Sequence, residues 1–425
     1  FWAVGLGWNI HNENFVKDNL PFINNLKLRS TYGLTGAVGS KTGYFSYIQT
    51  YWTPASNTNN DDGYFFGTTG VGVVRSTGQS TLAANVGPEK ARKLNIGVDI
   101  AVLDNKLSFS AEYFKNRFFD LLGTPGITTS IFGIGFPVQN LFKYNYWGSD
   151  FSVTYQGNVH NFNYFVNANF SLIQSRVIYN NEPPKPNAYQ LTTGHKVGLL
   201  TGYTAIGLFQ NFAEINDPNT AIPTSTPRSS LRPGDIRYLD RNGDGQIDNN
   251  DTGPIGNEKP YIYYGATFGF NYAGFDMSVL VQGVLNRETA LGGPTGQSGD
   301  FYNGFGNGGA ANAYQSNLKR WTPESAGSAM QPRLWLGSNI NNQLVSTYWL
   351  RNTSFVRLKN VEVGYTLPTS LTRKIGVPSI RIFSNGFNLL TWSPIFKYRD
   401  DVDPESLGTA YPIMKVINFG INAKF

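Results

Sequence analysis

The chain has 425 residues, of which 15% are aromatic and 15% are charged, with 47 glycines and no cysteine. The lack of cysteine excludes disulfides, thiol catalysis and cysteine-ligated metal sites. The formal net charge is +6, but lysine and arginine are dispersed along the chain, so nucleic-acid binding is not expected.

Hydropathy limits how this chain can enter a membrane. The best apolar run, residues 278–285, is far shorter than the ~18 residues that a membrane helix needs. Only helices and closed barrels satisfy their backbone hydrogen bonds in lipid, so a membrane protein of this composition has to be a β-barrel. The aromatic content and the low share of charged residues suit such a barrel. The chain begins with Phe1 and shows no signal peptide, so we expect the start of an exported protein to be missing or processed away.

Apolar and polar residues alternate in many segments, and a period of two predicts β-strands. In chain order, the pattern predicts a strand at 26–34 and hairpins at 94–113 with a turn at 104–105, 151–170 with a turn at 157–158, 264–281 with a turn at 273–274, and 361–388 with a turn at 368–369. We expect roughly a dozen strands, each near the ~10 residues of a tilted barrel strand.

The short turns alternate with long connections, which is typical of outer-membrane barrels and rare in soluble sandwiches. Loops of this length are normally functional or disordered. The long loops are predicted at 44–80, 176–200, 211–258, 286–347 and 393–410. The alternation predicts one face toward lipid, with Phe109, Tyr113, Phe162, Phe170, Phe268 and Phe419, and one toward the lumen, with Ser110, Asn163, Asn167, Gln282 and Asn422.

The last residues of the chain form a further amphipathic strand. From Ile417 to Phe425 apolar side chains alternate with polar ones, and the chain ends on the aromatic ring. A terminal edge strand of a soluble sandwich has the same local pattern, but the rest of the chain favours a membrane barrel. We expect this strand to pair with the segment 380–388 on one side and with the barrel's first strand, outside this sequence, on the other, because an unpaired edge in lipid is costly.

One segment has the ligand spacing of a calcium loop. Oxygen-bearing side chains occupy positions 1, 3, 5, 9 and 12, glycine occupies the sharp turn at position 6, and the residue at position 7 offers its backbone carbonyl. These residues are Asp240, Asn242, Asp244, Asp248, Asp251, Gly245 and Gln246, respectively. Position 12 holds Asp rather than the usual Glu, which makes bidentate coordination there less certain. Calcium as a structural cofactor is our prediction, and a solvated turn of Asp, Asn and Gly is the alternative. No flanking helices are evident, so the ion would brace a loop.

Catalytic motifs are not found. The three histidines, His11, His160 and His195, are far apart and belong to no motif. The glycine-rich run 304–309 lacks the strand–helix context of a phosphate loop, and a carboxylate pair such as 400–401 occurs in any chain this long. We therefore predict that the protein is not an enzyme.

Several longer motifs resemble those of one family, the SusC-like and RagA-like TonB-dependent outer-membrane transporters. They occur in the family's order and span nearly the whole chain. The matching segments are 26–36 (LKLRSTYGLTG), 234–257 (the GDIRY segment, the acidic loop and IGN), 264–265 (YG), 275–278 (FDMS), 320–323 (RWTP) and 348–368 (YWLR, RLKNV and GYTLP).

This resemblance implies an antiparallel transmembrane β-barrel of 22 strands in the cell outer membrane, with an N-terminal plug in its lumen. It also implies energy from TonB and a SusD-like surface lipoprotein that captures glycans or peptides. The terminal aromatic Phe425 resembles the signal read by the assembly machinery of such barrels. No plug, TonB box or signal is found and the strands are too few for 22, so we expect residues 1–425 to be the C-terminal part of one barrel domain.

Three functions remain open from the sequence. The first is energised import of an oligosaccharide or peptide nutrient across the outer membrane, without covalent chemistry. The second is a calcium-braced adhesin or glycan-binding barrel, and the third, a barrel enzyme, is disfavoured by the scattered histidines. The substrate is not identified, because loop aromatics such as Tyr51, Trp52, Phe301 and Tyr302 suit both sugar stacking and an aromatic belt.

Overall fold

The computed structural model describes residues 1–37, 51–52, 63–65, 73–75, 78–79, 86–126, 136, 138–290, 318–334, 339–399, 402–406 and 413–425. Its strands, numbered along the chain, are β1 (Trp2–Asn9), β2 (Ile23–Ala37), β3 (Tyr51–Trp52), β4 (Gly63–Phe65), β5 (Val73–Arg75), β6 (Gly78–Gln79), β7 (Glu89–Val102), β8 (Leu107–Gly123), β9 (Gln139–Val159), β10 (Phe162–Tyr179), β11 (Leu199–Gly202), β12 (Ala205–Leu208), β13 (Ile236–Tyr238), β14 (Gly253–Asn257), β15 (Ile262–Tyr272), β16 (Phe275–Leu285), β17 (Glu288–Ala290), β18 (Leu350–Asn352), β19 (Phe355–Thr366), β20 (Ser379–Trp392) and β21 (Val416–Lys424).

Helices in the described residues are short. They are α1 (Asn14–Asn19), α2 (Phe212–Asn216), α3 (Ile340–Gln343) and α4 (Thr369–Thr372). Short 3-10 turns occur at Ile10–Asn12, Ala188–Gln190, Arg228–Ser230, Asn249–Asp251, Pro323–Ser325, Arg373–Ile375 and Pro394–Lys397. Within the described residues, no helix is both long enough and apolar enough to cross a membrane.

The dominant element is one antiparallel sheet of 11 strands in the order β1-β2-β7-β8-β9-β10-β15-β16-β19-β20-β21. Each of these strands pairs with the sheet strand that follows it in sequence. The strands β8, β9 and β10 have 17, 21 and 18 residues, well beyond the ~10 residues needed to cross the hydrocarbon core. The ends of these strands that lie opposite the short turns therefore extend beyond the membrane.

The register separates the two predicted faces. Residues directly opposite each other on neighbouring strands lie on the same face of a sheet. Phe170 lies opposite Phe151 and Tyr264, whereas Asn167 lies opposite Thr154 and Thr267. Following these pairs across the sheet places the predicted lipid-facing set on one face and the predicted lumen-facing set on the other.

The apolar face is covered by rings in contact across the strands. The rings of Phe109 and Phe151 are 6.4 Å apart, and those of Phe151 and Phe170 are 6.3 Å apart. This face is open, with Phe268 43% exposed. A continuous exposed apolar surface of this extent matches the lipid-facing band of a membrane barrel.

The turns agree with the sequence prediction at two sites and differ at a third. Asp104 and Asn105 have positive φ values of 53° and 62°, and Ala273 and Gly274 turn at φ values of 49° and 86°. The turn predicted at 157–158 is wrong, because β9 runs on to Val159 and the chain turns after it. Gly157 lies inside the strand, where a Cβ would come within 2.4 Å of the ring of Tyr164, so a larger residue there would require this ring to move.

Three other boundaries differ from the predictions. The alternating segment at residues 2–9 forms the outer strand β1, which was not predicted. The loop predicted to begin at residue 176 begins after Tyr179, where β10 ends. The predicted loop 44–80 contains two short strand pairs, β3–β6 and β4–β5.

The terminal strand pairs on one side as predicted. β21 lies against β20, from Ser379 opposite Lys424 to Phe387 opposite Val416. β1 and β21 are the two outer strands of the sheet in the described part of the chain. Phe425 follows β21 and is 93% exposed. Its second neighbour and its role as an assembly signal stay predictions.

Candidate functional site: the polar face and the loop module

Ion pairs join strands across the polar face of the sheet. On the side of β1, Arg29 donates from Nε to Asp99 Oδ2 at 3.1 Å and forms an ion pair with Glu112 two strands away. Ser110 donates a further hydrogen bond of 2.6 Å to Asp99. The three charged side chains are between one fifth and about one third exposed and sum to one negative charge.

A second cluster of the same composition lies on the side of β21. Arg381 donates to Asp276 at 2.9 Å through Nε and to Glu362 at 2.7 Å, so one guanidinium joins β16, β19 and β20. Carboxylates paired with arginine in this geometry form strong, directional contacts. The two clusters fix the register on the polar face, and each contains one more carboxylate than guanidinium.

The long loops form a compact unit beyond one end of the sheet. We define the loop module as residues 199–257, 318–334 and 339–354. Its short strands pair as β11 with β14 and β12 with β13. Its centre is an apolar cluster whose members are all less than 5% exposed, Ile236, Tyr238, Ile247 and Trp349. This core explains why the loops keep one arrangement despite having little regular secondary structure.

A buried carboxylate organises the polar part of this module. Asp235 is fully buried and receives the Arg333 guanidinium at 2.8 Å. The side-chain amides of Asn342 and Asn339 donate to the same oxygen at 2.9 and 3.1 Å. The backbone N–H of Arg232 donates to the other oxygen at 2.8 Å. A buried charge is tolerated only when it is paired and hydrogen-bonded in this way.

Asn342 and its neighbour Asn341 also secure the apolar core. Tyr238 donates through its hydroxyl to the backbone carbonyl of Asn341 at 2.6 Å, and Trp349 donates to that of Asn342 at 2.9 Å. Asn342 accepts from the backbone N–H of Ile236 at 2.8 Å. Burial raises the pKa of the Tyr238 hydroxyl, so this residue remains a neutral donor.

A fully buried arginine connects the sheet to another loop. Arg357, on the polar face of β19, donates to both oxygens of Asp403 at 2.7 and 2.6 Å and to Glu405 at 2.6 Å. Its Nε donates to Thr391 at 3.0 Å. The segment 402–406 is thereby held against the sheet next to the loop module.

The predicted calcium loop closes around its own carboxylates and amides. Asp240 accepts backbone N–H groups from Gly243 and Gly245, both at 2.7 Å. Asn242 accepts from the N–H of Asp244 at 3.1 Å, and Asp244 accepts from that of Gln246 at 2.9 Å. The two glycines have φ values of 77° and 83°, a region that suits glycine.

The last two acidic positions fix the ends of this loop. Asp251 is only 1% exposed and accepts from the N–H of Arg241 at 2.7 Å and from that of Asp248 at 2.8 Å. Asp248 accepts from the N–H of Asn250 at 2.7 Å. Ile247, directly before Asp248, inserts into the core of the loop module. Asp251 therefore has a structural role that requires no ion.

The geometry does not by itself define a metal centre. In the described residues, no group of three or more His, Cys, Asp or Glu side chains is placed to hold a metal ion. The ligand chemistry suits a hard cation, since the loop offers carboxylates, an amide oxygen and the carbonyl of Gln246. Calcium binding by Asp240, Asn242, Asp244, Gln246, Asp248 and Asp251 stays a prediction.

The histidines are dispersed in the structure as they are in the sequence. His11 contacts the carbonyl of Leu26 at 3.5 Å, His160 lies at a turn with a φ of 53°, and His195 lines a surface cavity. Phe301 and Tyr302, which were considered for sugar stacking, lie outside the described residues, as do 304–309.

Curated relatives match the chain throughout. No protein-family model matches it. TonB-dependent receptor P3 of Formosa agariphila is 26% identical over 458 aligned residues, which cover 100% of this chain and 42% of the receptor. TonB-dependent receptor SusC of Bacteroides thetaiotaomicron is 24% identical, covering 86% of this chain and 34% of SusC. The chain thus spans less than half the length of these relatives.

Solved structures show the same fold. The chain superposes on the RagAB peptide transporter with a TM-score of 0.72 at 20% identity, covering 100% of this chain and 43% of that one. For the open-open state of the RagAB peptide importer the TM-score is 0.73 at 20% identity, with 42% of that chain covered.

The sheet and these likenesses define the class: an antiparallel transmembrane β-barrel with long extracellular loops, in the outer membrane. The predicted resemblance to the SusC-like and RagA-like TonB-dependent transporters is confirmed by the relatives, which are receptors and transporters and not enzymes. The number of strands in the whole barrel stays a prediction.

Two central residues were not singled out from the sequence. Asp235 and Arg357 lie in the segments 234–238 and 357–361, which contributed to the family resemblance, but their roles depend on partners far away in sequence. Asp235 binds side chains about 100 positions distant, such as Asn342. A charged residue inside an otherwise strand-like segment, as at Arg357, was the available signal.

Proposed function

We propose that residues 1–425 are the C-terminal part of the barrel of a transporter that imports an oligosaccharide or peptide nutrient across the outer membrane. The observation that supports this most directly is the 11-stranded sheet, with an apolar face for lipid, a polar face for a lumen and a folded loop module at one end. A plug, contributed by chain outside this sequence, would rest against the polar face at the ion-pair clusters around Arg29 and Arg381. TonB would supply the energy, and a SusD-like surface lipoprotein would close the mouth above the loop module.

The transport proposal is tested by uptake into cells. We expect disruption of the gene to abolish uptake of one pool of labelled oligosaccharides or peptides, and removal of TonB or of the proton gradient to have the same effect. The gene reintroduced on a plasmid serves as the control. Unchanged uptake of both pools combined with lost adhesion to glycan-coated surfaces would instead support the adhesin alternative.

We further propose that calcium braces the loop 240–251 and so stiffens the surface on which the lipoprotein docks. Asx-type hydrogen bonds already hold Asp240, Asn242 and Asp244 in successive turns of this loop. Arg241 lies over the ring of Tyr189 and donates to Thr204 at 2.8 Å, and its single positive charge stands against the four carboxylates of Asp240, Asp244, Asp248 and Asp251. The excess of negative charge over a short loop favours a divalent cation.

Hydrogen exchange of the whole transporter with calcium or magnesium tests the brace. Calcium, and not magnesium, is expected to slow exchange across residues 240–251, and the Asp244→Ala variant is expected to lose this effect and to dock the lipoprotein more weakly. Asp217→Ala removes an exposed carboxylate that also accepts from a nearby backbone N–H and serves as the control. Equal exchange with and without calcium in the unmodified protein would show that the segment is only a solvated turn.

A further inference from the structure

A row of basic side chains crosses the outward, apolar face of the sheet just beyond its membrane-facing part. Arg92 on β7 lies opposite Arg117 on β8, Arg117 lies opposite Asn145 on β9, and Asn145 lies opposite Arg176 on β10. These register pairs put three guanidinium groups in one line across four strands. With strands ~4.8 Å apart, the line is about 14 Å long.

The row adjoins the lipid-facing band. One step nearer the short turns, Leu94 lies opposite Lys115, Lys115 lies opposite Trp147, and Trp147 lies opposite Gln174. On the same face and further toward the turns follow exposed rings such as those of Tyr113 and Phe151. Trp and Tyr mark the membrane–water interface of such barrels, with long loops on the outer side. The row therefore lies at the depth of the headgroups of the outer leaflet.

In the part of the chain that the structure describes, the arginines of the row form no ion pair with a carboxylate. Within the described residues, Arg92, Lys115 and Arg117 form no ion pair, and all three are exposed. Arg92 lies 5.3 Å from the ring of Phe119, and Arg176 donates to the carbonyl of Gly194 at 3.0 Å. The nearby carboxylate of Asp120 is already bound by Lys90 at 3.0 Å. Like charges directly opposite each other on neighbouring strands repel, so Arg92 and Arg117 favour an anion between them.

A cavity of about 570 Å³ continues the row beyond β10. Its lining includes basic and aromatic side chains and one carboxylate, which are Arg176, His195, Lys196, Trp147 and Glu288. Lys196 lies 3.9 Å from the ring of Tyr261, and Glu288 accepts from the backbone N–H of Asn257 at 3.2 Å. The row and the cavity together form one basic, aromatic-edged surface on the outside of the barrel.

We propose that this surface binds the phosphorylated headgroup of a lipid in the outer leaflet. Arginine binds phosphate through paired N–H groups, which suits the adjacent Arg92 and Arg117. The lipid's acyl chains would lie along the apolar face directly below, so the same molecule satisfies both parts of the surface. The occupant differs from any transported nutrient, because it lies outside the barrel wall.

The test uses the whole transporter in phosphatidylcholine nanodiscs doped with phosphatidic acid, or with the diacylglycerol of the same acyl chains as the phosphate-free control. Lipid retained after purification is counted by mass spectrometry. We expect enrichment of phosphatidic acid and not of diacylglycerol. The triple variant Arg92→Gln/Arg117→Gln/Arg176→Gln is expected to lose this enrichment about tenfold or more.

A matched control removes three positive charges at the other end of the barrel. Lys106→Gln/Arg373→Gln/Lys374→Gln lies in the short turns and is expected to retain phosphatidic acid as the unmodified protein does. Inorganic phosphate is expected not to displace the lipid. If the triple variant does not assemble, the single variant Arg117→Gln provides the test, with an expected loss of about threefold.

Four results would overturn the proposal: full retention of phosphatidic acid by the triple variant (or, in its place, by Arg117→Gln), an equal loss in the turn control, equal enrichment of diacylglycerol, or displacement by inorganic phosphate. The last result would indicate a site for free anions instead of a lipid.

Discussion

The sheet and the loop module are held together in different ways. In the sheet, each strand pairs with the next sheet strand along the chain, and its two faces follow from simple alternation. In the loop module, the decisive contacts join residues about 100 positions apart, such as Tyr238 with Asn341 and Asp235 with Asn342. The sheet is held by backbone pairing between strands, and the module by satisfied polar groups around a small core.

This difference predicts different sensitivities. A sheet in lipid tolerates changes on its polar face but not a charge on its apolar face. A module built on buried polar groups tolerates surface changes but not the loss of one hydrogen-bonding partner. Substitutions in the two regions should therefore damage assembly and loop structure separately.

The largest effect is expected where Arg357 joins the sheet to the loop segment 402–406. Arg357→Leu leaves Asp403 and Glu405 without their fully buried partner, and breaking a buried ion pair in this way costs about 3–5 kcal/mol. Guanidinium unfolding in detergent measures the loss. Glu405→Gln is the control and should cost clearly less, because Glu405 is 39% exposed. Equal costs for the two variants would show that burial of the pair is not decisive.

The apolar face is tested by moving one arginine by one residue. Phe268→Arg places the charge toward lipid and is expected to destabilise the barrel by about 2–4 kcal/mol. Thr267→Arg places the same charge on the polar face and should have little effect. Folding into vesicles, followed by gel mobility with and without heating, measures both variants. If Thr267→Arg destabilised the barrel more than Phe268→Arg, the assignment of the lipid-facing and polar faces would be wrong.

The loop module is tested at its buried carboxylate. Asp235→Ala leaves Arg333, Asn339 and Asn342 without their acceptor, at an expected cost of about 1–3 kcal/mol. We expect faster proteolysis within 199–257 and an unchanged heat-resistant barrel. Asp217→Ala, an exposed change in the same module, is the control. Loss of the barrel together with the module would contradict the independence of the two regions.

The smallest expected effect is a pH dependence in the loop after β10. Burial on its own raises the pKa of the Glu182 carboxyl, but hydrogen bonds from Thr192 and Thr193 outweigh it and hold this pKa below its usual value. Because the pKa of Glu182 is lower in the folded loop than in the unfolded chain, the ionised carboxylate stabilises the fold at every pH above the unfolded pKa of ~4.3. This contribution disappears as the pH falls through the folded pKa. Amide protection factors at Thr192 and Thr193 should thus fall only below about pH 4. In the Glu182→Gln variant they should be low already at neutral pH; a similar pH profile in that variant would assign the effect to another group.

Most of the sheet could be predicted from the sequence, because alternation and turn residues are local signals. The hairpins around Asp104 and Ala273 were predicted for this reason, whereas the turn placed at Gly157 was wrong because this glycine lies inside β9, opposite Tyr164. The acidic loop was found by its spacing. Asp235 and Arg357 were not found, since a buried charge is recognised only when its distant partners are known.

The central claim, that the sheet is a wall between lipid and an aqueous lumen, can be tested most directly by cysteine scanning along β10. Residues 1–425 contain no cysteine, so once any cysteine in the rest of the transporter is replaced by serine, each single substitution reports without background. In the whole transporter in its membrane, cysteines at Asn163, Asn167 and Asn169 are expected to react with a charged, water-soluble maleimide. Those at Val166, Ala168 and Phe170 are expected to react only with a lipid-soluble reagent. Equal labelling of both sets by the water-soluble reagent would contradict the membrane assignment of this sheet.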